Sequence, residues 1–270
     1  MDKHVSIEYR VHPNHEELAK DAAIHMARTA RRCAKAKGRV FIAVSGGGTP
    51  REMFAQLADP EGEAFGIMPW SKVRLFFVDE RLVPPDVPDS NYNMVRETLL
   101  SRAPIAPEYV FRIKGEHVPR IAAFTYSNIV RNRLGLRRGE IPSFDIVQLG
   151  MGDDGHTASI FPHTAAVSKQ AGIAIANYVP QKDAWRVTLT YPVINNAAEV
   201  FFLISGKAKA EALRSVLHDQ YDPVRLPAQL VRPQNGRLLF LLDQDAAELL
   251  PELPPEQEKG TGSASERGKL

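Results

Sequence analysis

Apolar positions along the chain follow two alternating patterns. Short, nearly unbroken apolar runs occur at 39–44 (Arg-Val-Phe-Ile-Ala-Val), 73–78 (Val-Arg-Leu-Phe-Phe-Val), 145–149 (Asp-Ile-Val-Gln-Leu), 200–204 (Val-Phe-Phe-Leu-Ile) and 238–242 (Leu-Leu-Phe-Leu-Leu). Brief runs rich in β-branched and aromatic residues predict buried strands. Polar residues do not alternate within them, as expected of a parallel sheet covered on both faces. Between the runs the period becomes helical. Leu18, Ala22, Ala23, Met26, Ala27, Ala30 and Ala34 form one apolar stripe. Asn14 and Glu17 bracket its start as a capping box with Asn in place of Ser or Thr, and Gly38, after Lys35 and Lys37, marks its end. Ser90 is placed to cap a helix through Met94, Val95, Leu99 and Leu100. A third helix is predicted from Arg120 to Leu134, and a fourth follows Gly206 through Ala208, Ala212, Leu213, Val216 and Leu217.

This alternation predicts an α/β fold: a doubly wound, mostly parallel sheet with helices on both faces. No internal repeat or linker interrupts residues 1–250, which read as a single domain. Residues 251–270 read as a disordered polar tail, because Pro254 to Leu270 is built from Pro, Glu, Gln, Lys, Gly and Ser without an apolar period.

Composition narrows the function classes. With 44% hydrophobic and 24% charged residues in 270, the chain has the balance of a globular protein with a substantial core. A net charge of +2 is too small for the concentrated basic face of a nucleic-acid binder, so no nucleic-acid partner is expected. No window is apolar enough to span a bilayer and Met1–Arg10 has no signal-like run, so no membrane association and a cytoplasmic location are expected. The single cysteine, Cys33, cannot form an intramolecular disulfide, which suits a reducing compartment. Its basic neighbours favour a lowered pKa, but no cysteine-enzyme motif surrounds it, and it reads as a structural thiol. His4, His15, His25, His117, His163 and His218 show no metal-ligand spacing, so neither a metal nor an organic cofactor is expected. His163 is a candidate for the rim of a cleft.

The unusual residues gather where strands end, which is where open α/β sheets bind ligands. The loop Ser45-Gly46-Gly47-Gly48-Thr49-Pro50 follows the strand ending at Val44. Its glycines let backbone approach a ligand, and Thr49, Pro50 and Glu52 predict a capped helix start whose N–H groups suit an anion. A tight turn without a ligand is the alternative. Asp79-Glu80-Arg81 places two acids and a base at the next strand end. Arg81 suits bidentate recognition of phosphate or carboxylate, and a surface ion-pair cluster is the alternative. The third cluster, Leu149-Gly150-Met151-Gly152-Asp153-Asp154-Gly155-His156-Thr157-Ala158-Ser159, bends so that Asp154 and His156 can face one cleft. An imidazole with a nearby carboxylate is a general-base arrangement. Arg186 and Lys207 are further cations, each open to being a phosphate contact or a solvated surface charge.

These segments resemble the 6-phosphogluconolactonase family. The resemblance rests on Ser45 to Pro50, Phe77 to Tyr92 (FVDERLVPPDVPDSNY), Leu149 to Pro162 (LGMGDDGHTASIFP), Arg186 to Thr190, Ser205 to Leu213 and Leu226 to Pro233, in the family's order, across residues 15–245. Gly48 stands where many members have Ser. The resemblance implies a Rossmann-like fold shared with glucosamine-6-phosphate deaminase, and hydrolysis of 6-phospho-D-glucono-1,5-lactone in the oxidative pentose phosphate pathway. It implies His156 as the base that activates water, with Asp154 in the same catalytic loop. Ser45, Gly46, Gly47, Gly48, Thr49, Asp79, Arg81, Gly152, Gly155 and Lys207 are then substrate or phosphate contacts, and Arg186 a weaker one. The expected partner is a small sugar phosphate lactone, with monomer or dimer left open.

Two alternatives differ in testable ways. A deaminase needs an acid in an Asn-Glu-Pro segment after its histidine; here the stretch is Ser159-Ile160-Phe161-Pro162, and Arg81 replaces the aromatic residue that resemblance would require. A non-catalytic sugar-phosphate sensor needs a DNA-binding module, and residues 1–38 offer only one strand and one helix.

Overall fold

The computed structural model describes residues 7–251. The tail expected from Pro254 to Leu270 lies outside the described residues. The strands are β1 (Ile7–His12), β2 (Val40–Val44), β3 (Val73–Phe77), β4 (Asp79–Arg81), β5 (Val110–Phe111), β6 (Ile146–Leu149), β7 (Ala174–Val179), β8 (Ala184–Leu189), β9 (Glu199–Ile204) and β10 (Arg237–Asp243). The α-helices are α1 (His15–Lys37), α2 (Gly48–Leu57), α3 (Glu63–Ile67), α4 (Asn91–Val95), α5 (Pro119–Leu134), α6 (Tyr191–Asn195), α7 (Ala210–His218) and α8 (Gln244–Ala247).

Seven strands form a parallel sheet in the order β1-β10-β9-β6-β2-β3-β5. The five apolar runs read from sequence are β2, β3, β6, β9 and β10. Every residue of β6 and β9 is buried, the signature of strands covered on both faces. From β2 the chain moves outward to β3, and from β6 it moves the opposite way to β9. The boundary between β2 and β6 is therefore the topological switch point, where the loops leaving neighbouring strands diverge and open a crevice.

Local signals explain several helix ends. Asn14 Oδ1 accepts from the Glu17 N–H at 3.0 Å, and Gly38, at φ 74°, ends α1 with its N–H on the Ala34 carbonyl. Ser90 caps α4 by accepting from the Asn93 N–H. This helix passes into a π-helical turn at Arg96–Leu100. The helix expected after Gly206 begins with a 3₁₀ turn at Lys207–Lys209 and becomes α7 only at Ala210.

The capping box expected at Thr49 does not form. The chain turns at Gly47, whose φ of 118° is closed to other residues, so α2 starts before Thr49 and no side chain caps it. Glu52 instead accepts from Gln56 at 3.2 Å.

Sequence patterns also do not disclose a second sheet. Strands β4, β8 and β7 pair antiparallel in that order, with Asp79 opposite Thr188 and Arg81 opposite Arg186. It joins the main sheet at Val78, whose N–H reaches the Val44 carbonyl at 2.9 Å while its own carbonyl accepts from Leu189 at 2.7 Å.

Cys33 is half-buried. Burial, assisted by Asp145, pushes its thiol up despite Lys37 and Arg32 nearby. Its basic neighbours therefore do not activate it.

Candidate active site

At the switch point the loops after β2 and β6 border one cleft of about 370 Å³. The glycine-rich turn from Ser45 to Pro50 forms one wall, and Gly150, Met151, Gly152 and His156 form another. Asp79 and Arg81 enter from β4, and Lys209 from the turn after β9. The imidazole and the glycine-rich turn thus share a hollow.

The loop carrying His156 is shaped by contacts with its own backbone. Asp154 Oδ1 accepts from the His156 N–H at 3.0 Å and pairs with the ring Nδ1 at 2.5 Å. One oxygen therefore fixes both the backbone and the ring of the histidine. With Nδ1 engaged, Nε2 is the ring nitrogen left for chemistry. Burial pushes the Asp154 carboxyl up, but the hydrogen bond and charge of His156 outweigh it, leaving that carboxyl below its ordinary range. Two glycines make the arrangement sterically possible. A Cβ on Gly152 would lie 2.1 Å from His156 Nδ1, and one on Gly155, at φ 74°, would lie 2.7 Å from a Leu226 methyl. Beyond His156 the chain reverses through Ala158, at φ 51°, and the Phe161 ring stacks on the imidazole with centroids 3.8 Å apart.

The glycine-rich wall presents the N-terminus of α2, where no side chain occupies the first backbone N–H groups. Such an end, with its partial positive charge, is an anion site. Ser45 lines the cleft but directs both donors inward: its N–H reaches Gln148 Oε1 at 3.0 Å, and its hydroxyl reaches the Gln148 carbonyl at 3.1 Å. Its part is to anchor the turn on β6. A Cβ on Gly46 would fall 2.0 Å from Asn91 Oδ1, so that glycine lets α4 close against the turn.

In the Asp79-Glu80-Arg81 triplet the three side chains have different tasks. Glu80 is buried and accepts from the N–H groups of Arg81, Asn91 and Tyr92 and from the Ser90 hydroxyl, at 2.7–3.0 Å. Burial raises its pKa, and the three backbone donors oppose the rise. It builds the start of α4 and does not line the cleft. Asp79 does line it, held by the Ser159 hydroxyl at 2.6 Å and by Asn91 Nδ2 at 3.3 Å. Arg81 faces the cleft with one guanidinium nitrogen on the Asp89 carbonyl at 2.5 Å.

A family model described as glucosamine-6-phosphate isomerases/6-phosphogluconolactonase matches residues 13–240. The chain belongs to this family. It is 40% identical over 203 residues to a 6-phosphogluconolactonase of Treponema pallidum, covering 75% of this chain and 83% of that one. It is 39% identical over 241 residues to a human 6-phosphogluconolactonase, covering 87% and 90%. The solved 6-phosphogluconolactonase from Trypanosoma cruzi superposes with a TM-score of 0.79 at 31% identity, over 91% of this chain and 97% of that chain. A monomeric glucosamine-6-phosphate deaminase superposes at 0.73 with 22% identity, which is a likeness of fold.

Within this family framework the structure places some candidates away from the cleft. Lys207 is exposed and pairs with Glu248 at 3.0 Å, whereas Lys209, which the sequence reading did not select, lines the hollow. Gly155 acts through the shape of the loop. Arg186 lies opposite Arg81 on the neighbouring strand and is not among the cleft-lining residues, its Nε enclosed without a hydrogen-bond partner; burial and then the Arg81 charge lower its pKa. His163 is exposed and is not among the cleft-lining residues. Asn91, Ser159 and Phe161 also escaped the sequence reading. The Ser90-Asn91-Tyr92 segment was visible as a helix start, but only the fold shows what Asn91 faces. Among the described residues, no group of three His, Cys, Asp or Glu is placed to hold a metal, and no helix is long and apolar enough to cross a membrane.

Proposed function

We infer that this chain hydrolyses 6-phospho-D-glucono-1,5-lactone to 6-phospho-D-gluconate, a step of the oxidative pentose phosphate pathway, acting on the cytoplasmic pool of sugar phosphates. The observation that carries this reading is the placement of His156 and the α2 N-terminus on the lining of one cleft, in a chain whose relatives bear the lactonase name.

In this reading neutral His156 takes a proton from water through Nε2 as the water oxygen attacks the lactone carbonyl. Asp154, on Nδ1, keeps the ring in the required tautomer and offsets the positive charge that develops. The carbonyl oxygen becomes an oxyanion and is met by N–H or guanidinium donors of the cleft. Collapse breaks the bond to the ring oxygen, which takes the proton back from the imidazolium. The phosphate sits on the N–H groups of Gly46 to Thr49 with Lys209, which fixes the ring for attack. Arg81 meets the substrate directly, and Arg186 adds positive charge from the neighbouring strand. Asp79 accepts from a sugar hydroxyl. A lactone is an activated ester, so this sequence runs on the chain's own side chains.

The deaminase alternative is disfavoured at one position. Where that chemistry requires an acid following its histidine, this chain has Ser159-Ile160-Phe161-Pro162, and Phe161 covers a face of the imidazole.

The reading is tested by making the lactone in place with glucose-6-phosphate dehydrogenase and following acid release above the spontaneous rate. Enzyme-dependent release is expected with the phosphorylated lactone, and far less with unphosphorylated gluconolactone. Equal rates on both would remove the phosphate from the account.

A further inference from the structure

The ring of His156 is held on an edge and on a face. Asp154 takes the edge, through Nδ1. Phe161 takes the face, with centroids 3.8 Å apart and planes inclined by 16°. Two neutral aromatic rings disfavour so nearly cofacial a contact, because the negative faces of their π-systems oppose each other. A cation in the same place is attracted to that negative face. The contact therefore discriminates between the two states of the histidine: poor for imidazole, favourable for imidazolium.

The chain commits itself to this contact. Thr157 and Ile160 form an isolated antiparallel bridge, with the Ile160 N–H on the Thr157 carbonyl at 2.9 Å, and Ala158 between them takes a φ of 51°. A non-glycine residue in the left-handed region is strained and persists only where its surroundings enforce it. Beyond the turn, the Phe161 carbonyl accepts from the Thr164 hydroxyl at 2.8 Å, and Phe161 is 4% exposed. The phenyl ring is thus a fixed platform rather than a mobile neighbour.

We propose that Phe161 is a positioning residue for the reaction, holding the plane of His156 and favouring, through its π face, the imidazolium formed when water gives up its proton. The proposal rests on His156 being the base. A group that interacts more strongly with the charged state than with the resting one lowers the barrier without tightening substrate binding. Its signature is therefore in kcat and not in KM.

The test replaces Phe161 by mono-, di- and trifluorinated phenylalanine, which keep the ring while draining charge from its face. A stepwise fall in kcat is expected, reaching about tenfold for the trifluorinated ring, with KM and melting temperature unchanged. Phe161→Leu, which keeps an apolar side chain without a π face, is expected to show a comparable fall. A kcat indifferent to fluorination would overturn the proposal even if Phe161→Leu were inactive through misfolding. His156→Ala serves as the reference: if it keeps the wild-type rate, the base assignment itself fails, whatever the fluorine series gives.

Discussion

The Ser159 hydroxyl donates to Asp79 Oδ2 at 2.6 Å and ties the loop bearing His156 to the strand that follows β3. The other polar groups of Ser159 are used as well. Its N–H reaches Thr188 Oγ1 at 3.3 Å, and its carbonyl accepts from Asn177 Nδ2 at 3.0 Å. Asp79, Thr188 and Asn177 belong to β4, β8 and β7, so each strand of the small sheet contributes one side chain to this serine. The small sheet is thus the platform on which the His156 loop rests.

Ser159→Ala leaves the buried Asp79 carboxylate without its short donor. A loss of about 1–3 kcal/mol in unfolding free energy is expected, together with a several-fold rise in KM as Asp79 loosens. Denaturant unfolding and steady-state kinetics check both; a variant with wild-type KM would disconnect Asp79 from substrate binding.

Gly152→Ala forces a methyl group against the His156 ring, where a Cβ would lie 2.1 Å from Nδ1. The ring must move. Misplacing a catalytic group by such a distance costs roughly a hundredfold in kcat. Activity should fall by that order while the far-ultraviolet circular dichroism spectrum is unchanged. Wild-type kcat in a folded Gly152→Ala protein would mean the ring position is not critical.

Lys209 and Lys207 are separated by a paired comparison. Lys209→Ala is expected to raise KM about tenfold or more, the size of a charged hydrogen bond to phosphate. Lys207→Ala removes only an exposed pair with Glu248 and should leave KM within about twofold. The reverse order would place Lys207 in the site.

Glu199 controls part of the acid response. It begins β9 with its side chain 5% exposed and pairs with His25 at 2.7 Å and Arg237 at 3.1 Å. Burial pushes its pKa up, yet the hydrogen bond and charge of His25, with Arg237 and Thr29, leave it below the ordinary glutamate value. A depressed carboxyl favours the folded state when ionised. That contribution is fully present above the unfolded pKa of about 4.3 and disappears as pH falls through the lower folded value. Urea unfolding at stepwise lower pH should show wild-type stability converging toward that of Glu199→Gln. A constant gap between the two would show that the pair is not linked to proton uptake.

The sequence disclosed what local pattern encodes. The buried strands of the main sheet, the caps at Asn14, Gly38 and Ser90, and the Asp154–His156 loop follow from apolar runs, capping chemistry and glycine spacing. The small sheet did not, because β4 is only three polar residues long and its partner β8 lies far along the chain, beyond α4, β5, α5, β6 and β7, as Asp79 opposite Thr188 shows. Tertiary pairing, not propensity, makes β4 a strand. The sequence pointed to Lys207; the 3₁₀ turn instead pairs it with Glu248 and brings Lys209 to the cleft. Thr49 looked like a cap because its chemistry is right; the reversal at Gly47 starts the helix earlier. Phe161 lay within the resembling segment, but nothing in the sequence linked it to the imidazole, since its contact with His156 exists only through the turn at Ala158.

The most direct measurement is the rate of lactone opening by His156→Ala, followed against the spontaneous background, with binding of 6-phosphogluconate measured by calorimetry on the same preparation. Hydrolysis should fall by about 10²–10⁴, the contribution of a general base, while the phosphorylated product binds nearly as tightly as it does to the wild type. Wild-type hydrolysis by that variant would contradict the account at its centre.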